Sequence, residues 1–275
     1  MNKKGESSKV SGIKIALAVV PALLVVSIIV ALYLGATADK EKSKPYEGEV
    51  TVDEMSNYLE KLHDVIGERR IDTEEGQRAF RQINAMTDGA FQNLGYQVSR
   101  SQTDKANGLL WPTLWVDAGE EEDRDVVVVA IPQAESGTGP AFGYGFAEYL
   151  ATHAPATKVR VVFYPPLVRG PLASWVWERC AGEDEQLMGF VKVTGSDPDD
   201  RETVFSGPVD SGILTALKES KLWNETLRVG REATEGFEVA LLEQGRVSRQ
   251  EQALHLIRLM PVIKELTDRL GTGKD

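Results

Sequence analysis

The sequence predicts an α/β fold organised on a parallel βαβ unit and preceded by one N-terminal transmembrane helix. Three observations lead there. Residues 126–131 (VVVVAI) are an unbroken apolar run with charge before it and Pro132 and glycine-rich sequence after it, the pattern of a strand buried on both faces. Gly137, Gly139 and Pro140 then break the chain, residues 141–152 have the length and content of a helix, and residues 158–164 (KVRVVFY) return as a second β-branched strand. Residues 15–34 (IALAVVPALLVVSIIVALYL) hold no charge at all. A crossover of this kind makes its two strands parallel with a right-handed connection. The turn after the first strand then lies at the carboxyl edge of the sheet, where open α/β domains take their ligands.

In chain order, residues 1–14 are a basic tail carrying Lys3, Lys4, Lys9 and Lys14. The twenty uncharged residues that follow are long enough, at 1.5 Å per residue, to cross a bilayer core of about 30 Å as a helix. By the positive-inside rule the tail stays cytoplasmic, so residues 15–36 read as a signal-anchor in the plasma (inner) membrane and the remainder as extracytoplasmic. Pro21 is tolerated there, as prolines in membrane helices are. Cleavage after Ala38, at Ala36-Thr37-Ala38, is the competing reading, but the apolar part of a signal peptide runs about 7 to 15 residues and this run is longer. Residues 37–49 form a charged linker with Pro45 and Gly48.

Residues 50–271 form the domain, and with 42% apolar and 27% charged residues the chain suits one globular unit plus its appendage. Thr51-Val52-Asp53-Glu54 is a capping box, and Met55, Leu59, Leu62 and Ile66 make one helical face that Gly67 ends. A second helix starts at Asp72 or Thr73, carries Phe80, Ile83, Thr87, Ala90, Phe91 and Leu94 at spacings of three and four, and stops at Gly95. Residues 96–101 and 109–116 read as strands, with Pro112 placing the second at an edge or a bulge. Beyond the βαβ unit, Trp175 and Trp177 lie on a helix, residues 190–195 on a strand, residues 209–220 on a helix opened by Pro208, and residues 237–243 on a last strand. Ser248-Arg249-Gln250-Glu251 is a second capping box, opening a closing helix to Leu270 that Pro261 should kink.

Several motifs bear on the chain's identity. Leu94-Gly95-Tyr96-Gln97-Val98 is similar to the L-G-Y-x-V with which the di-zinc aminopeptidases (bacterial leucyl aminopeptidases, glutamate carboxypeptidase, the transferrin receptor ectodomain) leave a helix for their first strand. Residues 167–174 (LVRGPLAS) resemble that family's E-E-x-G-L-x-G-S, residues 135–139 (ESGTG) its D-N-x-S-G turn, Ile131-Pro132-Gln133 its His-x-Asp, and residues 190–195 (FVKVTG) its N-x-D-x-x-G. The resemblance covers roughly residues 50–270. It implies a three-layer αβα sandwich with a mixed, mostly parallel sheet, zinc-exopeptidase-like, with residues 96–101 and 109–116 as an added antiparallel pair.

The same resemblance implies a degenerate member. Zinc needs three or four His, Asp, Glu or Cys donors, and hydrolysis needs a carboxylate to take the proton of the metal-bound water. Ile131 and Val168 stand at ligand positions and cannot ligate. Leu167 stands at the general base, Gln133 replaces an aspartate, and Lys192 puts an ammonium at the last aspartate ligand. Only Glu135 keeps a carboxylate. The expectation is therefore no metal, no cofactor and no catalytic residue, the degenerate positions lining one remnant cleft that binds a protein or peptide partner near Glu135, Arg169 and Lys192. The alternative is a divergent metallohydrolase with a relocated ligand set, drawing on Glu135 with His153, Asp197 or Asp199.

Other features read as ordinary structure. Four lysines against one glutamate give residues 1–38 a formal charge of +3, so residues 39–275 carry −14 within a total of −11, which argues against nucleic acid as a partner. Cys180 is the lone cysteine and reads as a semi-buried thiol, since no histidine is placed near it in the sequence and reactivity would need a lowered pKa. His63, His153 and His255 fall in or at the ends of helices, away from the carboxyl edge. Trp111 and Trp115 fit packing better than an aromatic groove. Asp197-Pro198-Asp199-Asp200 lacks the spacing of a calcium loop, and Asp210-Ser211-Gly212 lacks the context of a serine nucleophile.

Overall fold

The computed structural model describes residues 48–273 apart from 103, 121, 135–136, 196–201, 209–211, 225–226, 231–235 and 243–246. The apolar run at residues 15–34 lies outside them. Among the described residues no helix is long and apolar enough to cross a membrane.

Helix α1 (Val52–Glu60) opens on the expected capping box, Thr51 accepting from the Glu54 N–H and Glu54 reaching back to Thr51. It widens into a π-helical turn (Lys61–Ile66) that Gly67 closes in the left-handed half of backbone space, φ 69°. Helix α2 (Glu74–Asn93), capped by Thr73, buries Phe80, Ile83, Thr87 and Phe91, the stripe its spacing predicts. The following region is more divided than the sequence indicates. Strand β1 (Ser99–Ser101) is short, a hairpin of β2 (Lys105–Ala106) and β3 (Leu109–Leu110) turns at Asn107 and Gly108, and β4 (Thr113–Ala118) starts after Pro112. The expected edge strand is thus split at the proline, and β4 lies inside the sheet between β1 and β6.

Strand β5 (Asp125–Pro132) is buried throughout after its first residue. Helix α3 (Thr138–Thr152) begins earlier than predicted, because Gly139 and Pro140 sit in its first turn, where a missing N–H costs nothing. Strand β6 (Lys158–Tyr164), helix α4 (Leu172–Cys180) and strand β7 (Gln186–Gly195) follow. Strand β8 (Thr203–Ser206), helix α5 (Gly212–Glu219), strands β9 (Leu227–Val229) and β10 (Phe237–Leu241), and helix α6 (Arg249–Thr272) complete the chain. Helix α6 runs through Pro261 without interruption and starts on the predicted Ser248–Glu251 capping box.

The eight-stranded sheet has the order β1-β4-β6-β5-β7-β10-β8-β9. The central β6-β5-β7-β10 strands are parallel, and β1-β4 and β4-β6 are antiparallel, so the added antiparallel strands implied by the resemblance are present. One apolar cluster, with residues of α1, α2, α3, α5 and α6, covers one face; a smaller one, with Trp175, Val176 and Cys180 of α4, covers the other. Trp111 is packed edge-on against Phe80 and donates its indole N–H to the Ala106 carbonyl, a structural role.

Candidate functional site

The carboxyl ends of β5, β6, β7 and β10 meet the turn before α3, and a polar network organises this edge. The buried guanidinium of Arg69 donates from Nε to the Gln133 carbonyl (2.6 Å) and from Nη1 to the carbonyls of Gly67 (2.7 Å) and Leu62 (3.2 Å). It pins the π-turn to the end of β5. Gln133 is fully buried, donating its N–H to the Tyr164 carbonyl and its amide to Asn84 Oδ1 (2.9 Å). A cavity of about 360 Å³ is left between Leu62, His63 and residues 67–69 on one wall and Ala134 and Gly137 on the other.

Two histidines lie at this edge, against the sequence-based expectation. His63 packs against Gly137, whose Cβ, if it had one, would stand 3.0 Å from two ring atoms, and its Nε2 is 3.5 Å from Thr138 Oγ1. Thr138 Oγ1 also accepts from Gln252 (3.0 Å), which donates to the Leu242 carbonyl as well. Further along, the Leu242 N–H and His255 Nε2 (2.7 Å) both meet Thr203 Oγ1. Burial, helped by Arg258, pushes the His255 imidazole down to about 4, so it is neutral near pH 7. Neither residue was legible because each depends on an irregularity: the π-turn rotates His63 toward Gly137, and β8 carries no strong strand pattern. His153 lies at the opposite end of α3, exposed and stacked on Tyr149.

Among the described residues, the positions singled out from the sequence do not converge on one cleft. Residues opposite in register leave a sheet on the same face, and Ala130 faces Lys192 while Val129 faces Val191. Val129, Ile131, Val191 and Val193 belong to the α3-side cluster, Ala130 and Phe190 to the α4-side one. Lys192 thus leaves on the opposite face from Ile131, where its Nζ pairs with Glu238 on β10 at 3.0 Å. Val168 packs against the α4-side cluster, Leu167 is half-buried beside it, and Arg169 is exposed. The residue sharing Ile131's face is Val193, because a one-residue offset in a strand inverts every side chain. Glu135, Asp197, Asp199, Asp210 and Ser211 lie outside the described residues.

The donors at these positions do not fit a zinc centre. Ile131, Val168 and Val193 are hydrocarbon, and Gln133, whose Nε2 donates to Asn84 while its buried Oε1 has no hydrogen-bond partner, offers only a neutral carboxamide oxygen. Among the described residues no three His, Cys, Asp or Glu side chains are grouped to hold a metal ion. Cys180 is buried in the α4-side core, its thiol pushed up to about 12 by burial.

The architecture defines a class: the chain has the fold of the zinc-dependent exopeptidases, aminopeptidases and glutaminyl cyclases. It is similar to a leucine aminopeptidase precursor from Bacteroides thetaiotaomicron (TM-score 0.57, 10% identity, covering 80% of this chain and 98% of that one). It is similar also to a glutaminyl cyclase of the same organism solved with N-acetylhistamine (TM-score 0.57, 10% identity, 80% and 98%). The LapA aminopeptidase of Legionella pneumophila gives a TM-score of 0.59 at 9% identity over 81% of this chain and 72% of that one. No protein-family model and no curated protein matches the sequence.

Proposed function

We propose that this chain is a membrane-anchored, extracytoplasmic domain that has kept the exopeptidase fold and given up hydrolysis, serving binding or structure. The observation that supports this most is the character of the strand ends: where the fold's enzymes need converging donors, hydrocarbon side chains face one helix layer and an internal Lys192–Glu238 pair faces the other. The uncharged run at residues 15–34 and the lysines before it support the anchor and its orientation. A protein or peptide partner at the carboxyl edge suits a domain in which, among the described residues, no group of metal-ligating side chains gathers there.

The test uses the full-length chain in membranes and in detergent. The chain is expected to stay in the membrane pellet after alkaline carbonate extraction. Purified protein is expected to carry no zinc above a metal-free control and to leave amino-acid nitroanilides intact. Stoichiometric zinc, with turnover that a chelator abolishes, would overturn the proposal.

A further inference from the structure

We infer that positions 131, 168 and 192, which no longer share a face of the sheet, cannot be refitted as one metal centre, so that restoring a histidine and acids at them does not restore zinc binding. The inference rests on the non-hydrolytic reading above and can fail independently of it. Ile131 occupies the gap that two glycines leave between α3 and the sheet. Its Cγ2 lies 3.5 Å from where a Cβ on Gly139 would stand, and its Cδ1 is closer still to where one on Gly143 would stand. Phe163 Cζ reaches within 2.5 Å of that second point. The side chain at 131 therefore runs inward along the first turns of α3 instead of toward the open edge. A histidine there would bring its ring nitrogens into a hydrocarbon layer formed by Phe163, Val191 and Val193, with no donor or acceptor supplied by these neighbours.

Among the described residues, positions 168 and 192 cannot complete a cage around it. Position 192 leaves the sheet on the far face, and position 168 packs against the apolar cluster on that same far face. Zinc donors must all lie about 2.0–2.3 Å from one ion. A set divided by the thickness of a β-sheet cannot meet that distance. An acid at 192 would also face Glu238 in register on β10, placing two like charges side by side without a third donor.

The decisive comparison is between the full-length wild type, a triple variant (Leu167→Glu, Val168→Glu, Lys192→Asp) and a quadruple variant adding Ile131→His. Each is loaded with zinc, desalted and assayed for bound metal, and its melting temperature is taken with and without zinc. All three are expected to hold no zinc above the metal-free control, the quadruple variant melting below the triple and neither being raised by zinc. Stoichiometric zinc on the quadruple variant with a raised melting temperature, the wild type being empty, overturns this inference and leaves the proposed function standing. Stoichiometric zinc on the wild type overturns both. If the quadruple variant does not fold, refolding with zinc decides: recovery of folded, zinc-loaded protein sinks the inference, and continued failure beside a folded, zinc-free triple variant supports it.

Discussion

Arg69 ties the carboxyl edge together, since one buried guanidinium joins the π-turn to the end of β5 through the carbonyls of Leu62, Gly67 and Gln133. Hydrogen bonds from a charged donor contribute about 1.5–3 kcal/mol each, and an orphaned buried carbonyl adds a further penalty. Arg69→Met is therefore expected to lower stability by about 3 kcal/mol or more in urea unfolding. Arg69→Lys keeps the charge but not the planar fork, so it should recover less than half of that loss. A change under about 0.5 kcal/mol, the range of ordinary surface substitutions, would show the pin to be redundant. Cys180 tests a different property. Its burial and raised pKa predict that Ellman's reagent leaves it unmodified in the native protein and modifies it fully in guanidinium; rapid native labelling would contradict its place in the core.

At the level of elements, α3 packs closely on β5 and β6. A methyl at Gly143 would overlap Ile131 and Phe163 deep between layers, whereas at Gly145 it would meet the flexible ends of Met55 and Met260. Gly143→Ala is expected to cost about 1–3 kcal/mol by overpacking, after whatever helix propensity returns. Gly145→Ala should cost less, and Ile131→Val in the Gly143→Ala background should restore part of the loss in thermal melts. Equal effects at the two glycines would remove the argument that α3 is seated on Ile131. These contacts also explain what was legible. Capping boxes at Thr51 and Ser248, the stripe of α2 and the run of β5 are local patterns, and all appear where the sequence puts them. Strand β8, only four residues long, and β9, only three, owe their existence to pairing with β10 and with each other, which no local pattern encodes. The facing of Lys192 was lost for a similar reason, because a motif match without register leaves the face of a strand undetermined.

Across the whole molecule, the order of elements carried the fold, while the site depended on long-range contacts. The outer corner of β8, β9 and α5 is joined to the closing helix through His255, which is buried and bonded to Thr203. This join should make global stability depend on acid. His255 has a folded pKa of about 4 against about 6.5 in an unfolded chain. Above 6.5 both states are neutral and pH has no effect through this group. As pH falls from 6.5 toward 4 the unfolded chain takes up a proton that the folded one refuses, so stability declines across that window, by up to about 3 kcal/mol. Glu185, held below the ordinary carboxylate range against desolvation by its bonds from Arg160 and the Gly182 N–H, adds acid sensitivity only at lower pH. Urea titrations at pH 7 and pH 4.5 should therefore differ in the wild type and converge in His255→Gln, which keeps hydrogen-bonding capacity without titrating. Hydrogen exchange at β8 should rise at pH 4.5, after correction for the intrinsic rate, before it rises at β5. An unchanged midpoint between the two pH values, or the same decline in the His255→Gln protein, would remove His255 as the acid-sensitive join between the closing helix and the sheet.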